Sequence, residues 1–187
     1  HDKIVKQLEK TNDIYKEFAS TDYLTNTLSR YYFNKYIDQH AFELFDQTLA
    51  IVMIDVNDFK YINDTYGHLV GDEVLKEIAR ALKASVRAED KVVRYGGDEF
   101  LLILKNCNIQ KGKEILSRVV EGIRNMDKFD FSIEISYGIA EVRNKEELLS
   151  GIQEADAKMY EMKRNREISK HVYGRLKLSN RLYESVT

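Results

Sequence analysis

Asp98 and Glu99 are neighbouring carboxylates in the stretch Arg94-Tyr95-Gly96-Gly97-Asp98-Glu99-Phe100. Apolar runs at 91–95 and 100–104 flank them, so the stretch reads as a β-hairpin. Gly96-Gly97 then supplies the positive φ angles of a tight turn. Two acids on a rigid tip can hold a divalent cation or take up a proton. The plainer reading is a solvated acidic corner. A third acid, Asp55, closes the apolar run Leu49-Ala50-Ile51-Val52-Met53-Ile54. That run reads as a central strand buried on both faces. An acid at its end is either a metal ligand or a cap for the next helix.

The surrounding elements must place these acids. Residues 59–66 form a short helix whose first amides, near 57–60, favour an anion. Lys60 adds a positive charge there. Residues 67–72 read as a glycine-punctuated loop, with Asp72 capping a helix that runs to about residue 85. His68 taken alone reads as a structural histidine. Upstream, residues 22–25 read as the start of a helix capped by Asp22 or Thr25, with Tyr32, Phe33, Tyr36 and Ile37 inward. Downstream come a helix over 109–124 with Arg118 outward and a strand over 131–140. A last helix over 145–163 ends in Lys163, Arg164 and Arg166. The expected order is α, α, β, α, α, β, β, α, β, α. That is an α+β, or mixed α/β, sandwich in which helices cover a central sheet.

The totals narrow the classes. One domain with extensions suits 187 residues. A net charge of −2 gives no positive field to recommend nucleic acid or a membrane surface as partner. The single cysteine, Cys107, excludes an internal disulfide and fits a reducing compartment. No apolar run suggests a membrane span. The chain opens on His1, so it is expected to be a piece of a longer protein. Ile4, Leu8, Thr11, Tyr15 and Phe18 fall at 4-3-4-3 spacing, which suits a short coiled coil or an amphipathic helix packed on its own domain.

Several segments in order resemble the GGDEF family of diguanylate cyclases. Asp22-Tyr23-Leu24-Thr25 looks like its D-x-L-T. Asp55-Val56-Asn57-Asp58-Phe59-Lys60 looks like its D-(I/V)-D-x-F-K. Asn63-Asp64, Tyr66-Gly67-His68 and Gly71-Asp72 match N-D-x-(Y/F)-G-H-x-x-G-D, and residues 94–100 are the signature. Ala155-Asp156, Tyr160 and Lys163 resemble A-D-x-A-L-Y-x-A-K. The resemblance covers roughly residues 22–166.

It implies a mostly antiparallel, palm-like sheet, as in class III nucleotidyl cyclases. It also implies condensation of two GTP into cyclic di-GMP and two pyrophosphates by a homodimer. Asp55, the carbonyl of Val56, Asp98 and Glu99 would hold Mg²⁺, with Mn²⁺ as a substitute. Asp98 or Glu99 would accept the proton, and Asp98 is favoured. Asn63 and Asp72 would read guanine, with His68 alongside. Asp58, Phe59, Lys60 and Lys163 would hold the phosphates. Arg87, Asp90 and Arg118 would bind the product at an inhibitory site. The implied organisation is a signalling helix over 1–20, a catalytic domain over 21–168 and a tail over 169–187. An upstream sensor domain is expected in the full-length protein. Placement is expected to be cytoplasmic, with tethering to the inner membrane left open.

Some positions depart from the pattern. Asn26, Thr27 and Ser29 replace the usual Gly, Leu and Asn. Asn57 replaces the second acid of D-x-D. Glu167 stands where a phosphate-binding arginine is expected, with Arg166 or Arg164 one helical step away. Glu167 favours the alternative function, a catalytically weak domain that acts as a receptor for GTP or cyclic di-GMP.

Overall fold

The computed structural model describes residues 3–7 and 20–184, the side chains of 41–42 and 171–184 excepted. Most of the stripe read in 1–20 as a coiled coil therefore lies outside the described residues. Ten elements follow in order. They are β1 (Leu28–Ser29), α1 (Arg30–Leu44), β2 (Leu49–Val56), α2 (Phe59–Tyr66), α3 (His68–Ser85), β3 (Lys91–Arg94), β4 (Glu99–Lys105), α4 (Ile109–Arg124), β5 (Ile135–Val142) and α5 (Leu148–Glu184).

All eight residues of β2 are buried, as an unbroken apolar run requires when both faces are covered. The sheet order is β1-β3-β4-β2-β5. β2 pairs antiparallel with β4 and β5, and β3 with β4; the short β1–β3 pair is parallel. Alternation along β2 feeds two cores. Ala50, Val52, Ile54 and Val56 pack with Val74, Ile78 and Leu82 of α3 and Leu116, Val119 and Ile123 of α4. Leu49, Ile51 and Met53 pack with Phe33, Tyr36 and Ile37 of α1 and Ile152, Ala155 and Met159 of α5. Each fully buried Leu or Ile contributes about 1.5–3 kcal/mol, so the sheet is a rigid platform.

α5 lies on β5 almost backbone to backbone. A Cβ at Gly138 would come 2.0 Å from the Ala155 carbonyl oxygen, so only glycine fits there. α5 then continues without a break past residue 168 to Glu184.

Four local expectations differ from the structure. Residues 22–25 are a turn, and the helix starts at Arg30. Asp22 Oδ1 accepts from the Thr25 amide at 2.9 Å and its hydroxyl at 2.6 Å, which closes the turn. α3 starts at His68 after Gly67, whose φ of 88° makes the corner, so Asp72 lies inside the helix. Neither Gly96 nor Gly97 has a positive φ; the signature loop is wider than a two-residue turn. β5 starts at Ile135, four residues later than expected.

Candidate active site

Asp55 lies near the C-terminal end of β2, opposite Glu99 on β4 and Ser136 on β5. The next residue fastens the hairpin: the Val56 amide donates to the Asp98 carbonyl at 3.1 Å. Register therefore brings Asp55 and Glu99 together. Burial raises the Asp55 carboxyl; the Lys163 ammonium, bonded to its Oδ1 at 2.7 Å, pulls the other way, and the charges of Asp98 and Asp156 add to the rise. Glu99 is raised as well, first by burial and then by the charges of Asp55, Asp98 and Asp156.

The hairpin loop is held from outside. Arg94 donates to the Gly97 carbonyl through Nε at 3.2 Å and Nη2 at 2.8 Å. A Cβ at Gly96 would lie 2.3 Å from Glu99 Oε2 and would displace the end of that side chain, while one at Gly97 would meet nothing within 4 Å. Crowding by Glu99 bears on Gly96 alone; Gly97 has open space on its Cβ side.

Asn63 on α2 and Asp72 on α3 flank the corner between those helices. The Asn63 side chain lies over Gly71, where a Cβ would fall 1.9 Å from its Oδ1. Asp72 is the next residue and is half-buried. His68 is exposed at the start of α3. Phe59 is half-buried, and Asp58 and Lys60 are exposed at the start of α2.

Lys163, Arg166 and Lys170 follow a three-then-four spacing, so they share one stripe of α5. Lys163 sits on Asp55. Arg166 Nε bonds Glu134 at 2.6 Å, and its Nη2 bonds Asp58 Oδ2 at 2.9 Å. Lys170 bonds the same Asp58 oxygen at 2.7 Å. Glu167 is exposed, and its charge is one of those raising the Lys163 pKa.

The expected inhibitory residues also assemble. Arg87, Asp90 and Arg118 line one cavity of about 200 Å³, with Lys105 and Lys111. Asp90 is committed to the fold: it accepts the amides of Arg87 and Lys105, each at 2.9 Å. Arg87 Nη1 lies 3.9 Å from Glu89 Oε1, and Arg118 Nη2 donates to the Ser85 carbonyl at 3.5 Å.

Asp156, Asp58's link to α5 and Lys170 were not among the expected site residues. Asp156 lay in a quoted motif, but seven residues before Lys163 its nearness to Asp55 and Glu99 is not evident. The hard oxygen donors of Asp55, Asp98 and Glu99 suit a divalent cation. Among the described residues, though, no three His, Cys, Asp or Glu side chains form a closed metal cage. None of their helices is long and apolar enough to cross a membrane.

A five-stranded, mostly antiparallel sheet covered by helices, with acids at one end of its inner strands β2 and β4, is the palm-like architecture of nucleotidyl cyclases. The family model "Diguanylate cyclase, GGDEF domain" matches residues 19–168, and the chain belongs to that family. Diguanylate cyclase A of Treponema denticola is 33% identical over 159 residues, covering 80% of this chain and 43% of that protein. Diguanylate cyclase DosC of Escherichia coli K12 is 37% identical over 121 residues, covering 62% of this chain and 26% of that protein. The chain thus spans less than half the length of these curated relatives. Among solved structures, the coiled coil and GGDEF domain of DgcB from Caulobacter crescentus, in complex with c-di-GMP, superposes with a TM-score of 0.76 at 27% identity. It covers 88% of this chain and 91% of that one. Diguanylate cyclase SiaD of Pseudomonas aeruginosa, in complex with its activator SiaC, gives 0.73 at 32% identity, covering 88% and 65%.

Proposed function

We propose that this domain condenses two GTP into cyclic di-GMP and two pyrophosphates as a homodimer, each protomer presenting one nucleotide. The observation that carries the reading is the pairing of Asp55 with Glu99 at one end of the sheet, beside Lys163. Relatives named as diguanylate cyclases support it.

Asn63 and Asp72 would read the guanine edge, where adenine would leave the carboxylate unpaired. The start of α2, with Lys60 and the α5 cations, would hold the triphosphate. The 3′-oxygen of one GTP attacks the α-phosphorus of the other. The new P–O bond forms as the bond to the bridging pyrophosphate oxygen breaks, and the hydroxyl proton passes to a carboxylate. Glu99, whose carboxyl is raised first by burial and then by neighbouring charges, is a candidate for that role beside Asp98. The step then repeats with the roles exchanged. Asp55, the Val56 carbonyl, Asp98 and Glu99 would hold Mg²⁺ or Mn²⁺, which supplies charge neutralisation at the reacting phosphate and a more acidic hydroxyl. Arg87 and Arg118 would bind the product by paired donors, with Asp90 fixing the loop that carries Arg87.

The placement of Lys163 on Asp55, with Glu167 one turn beyond, favours a second reading, a weakly catalytic receptor for GTP or cyclic di-GMP. One experiment separates the two: incubation with GTP and Mg²⁺, with Asp98→Ala as control. Cyclic di-GMP from the wild type alone supports the cyclase. A folded, dimeric wild type that makes none leaves the receptor.

A further inference from the structure

Asp58 is set unusually for a residue at the start of a helix. It has a left-handed backbone (φ 57°) and makes no side-chain cap to α2. Its carboxylate instead crosses to α5, where one oxygen accepts both Arg166 and Lys170. Lys170 lies two residues beyond the family match, so this contact is not part of the matched pattern. Burial alone would raise the Asp58 carboxyl, but hydrogen bonds from Lys170 and Arg166 hold it below the usual carboxylate range. Asp58 is only three residues from Asp55, and its two partners share the stripe of Lys163.

Two cations thus converge on a single oxygen of a single negative charge. A triphosphate end offers more oxygens and more charge to the same donors. Resting on the nucleotide reading above, we propose that Asp58 is an internal competitor for the substrate triphosphate. It pairs with Arg166 and Lys170, and the terminal phosphates take those cations over. The arrangement balances charge: Asp58 and Glu134 offset Arg166 and Lys170. It also makes Arg166 and Lys170 positioning residues for the triphosphate.

The test is calorimetry with 3′-deoxy-GTP, which carries the base and triphosphate but cannot be condensed, and with GMP as the control. Asp58→Asn should tighten 3′-deoxy-GTP about fivefold, the scale of one exposed charge pair, and leave GMP unchanged. In the Asp58→Asn background, Lys170→Gln should loosen 3′-deoxy-GTP by a similar factor, again without moving GMP. Lys170 is half-exposed, so this second variant tests the idea without disturbing the core. If the wild type binds 3′-deoxy-GTP and Asp58→Asn binds it equally or less well, the competition is overturned and the nucleotide site stands. If neither protein binds it, both fall.

Discussion

Asp22 and Arg94, 72 residues apart in the chain, form a two-oxygen ion pair: Nη1 lies 3.1 Å from Oδ1 and 3.1 Å from Oδ2. The same guanidinium holds the Gly97 carbonyl. One arginine therefore links the turn at the start of the domain to the loop that presents Asp98 and Glu99. Both side chains are largely shielded, so the pair is less screened than a surface bridge.

Asp22→Asn should cost about 1–2 kcal/mol at neutral pH, since it weakens bonds to a charged acceptor. The sign with pH is fixed. Burial pushes Asp22 up, but Thr25 and Arg94 outweigh it, and the net pKa is lowered. Its contribution is present above the unfolded carboxylate value and lost as pH falls through the lower folded one. Denaturant melts at pH 7 and pH 3 should show a smaller difference between the two conditions for Asp22→Asn than for the wild type.

Glu99→Gln should separate stability from activity. Glu99 is raised in the folded state, so its ionisation opposes folding: the charged form is disfavoured once pH exceeds the unfolded value. The variant should be more stable than the wild type at pH 7, and that gain should vanish as pH falls through the ordinary carboxylate range. Cyclic di-GMP formation should fall by about a hundredfold or more. Thermal melts across that range, alongside turnover, check each half.

The two glycines of the signature should respond differently. Gly96→Ala forces Glu99 aside and should lower turnover by about a hundredfold, the scale of a misplaced reacting group. Gly97→Ala meets nothing in the free protein and should leave the melting temperature unchanged. Loss of turnover by Gly97→Ala at full stability would place the bound nucleotide against that residue.

Arg118→Ala should weaken cyclic di-GMP binding about tenfold or more, as loss of a paired donor to phosphate does, and spare initial turnover. Progress curves would then stay linear longer than those of the wild type. Asp90→Ala should also melt earlier, because it frees two backbone amides.

The sheet and the acids were legible in the sequence for a physical reason. The apolar run from Leu49 to Ile54 has the length and β-branched content of a strand covered on both faces, and Asp55 closes it. Local chemistry misled where two structures use the same residues. Asp22 and Thr25 cap a helix or close a turn by the same bonds, and Arg94, far along the chain, decides between them. Gly96-Gly97 is compatible with positive φ or with crowding; neither has a positive φ, and only Gly96 lies against Glu99 Oε2. The Asp58 contacts span 108 and 112 residues, a distance over which no periodicity carries information.

Gly138 has a mechanical meaning. It lets α5 bear directly on the sheet at Ala155, while the same helix runs 37 residues, about 55 Å at 1.5 Å per residue. That makes a lever with its fulcrum pressed against β5. Lys163, Arg166 and Lys170 sit on the arm just past the pivot. Because the three cations share one continuous helix, any displacement of that arm would move them together relative to Asp55 and Asp58.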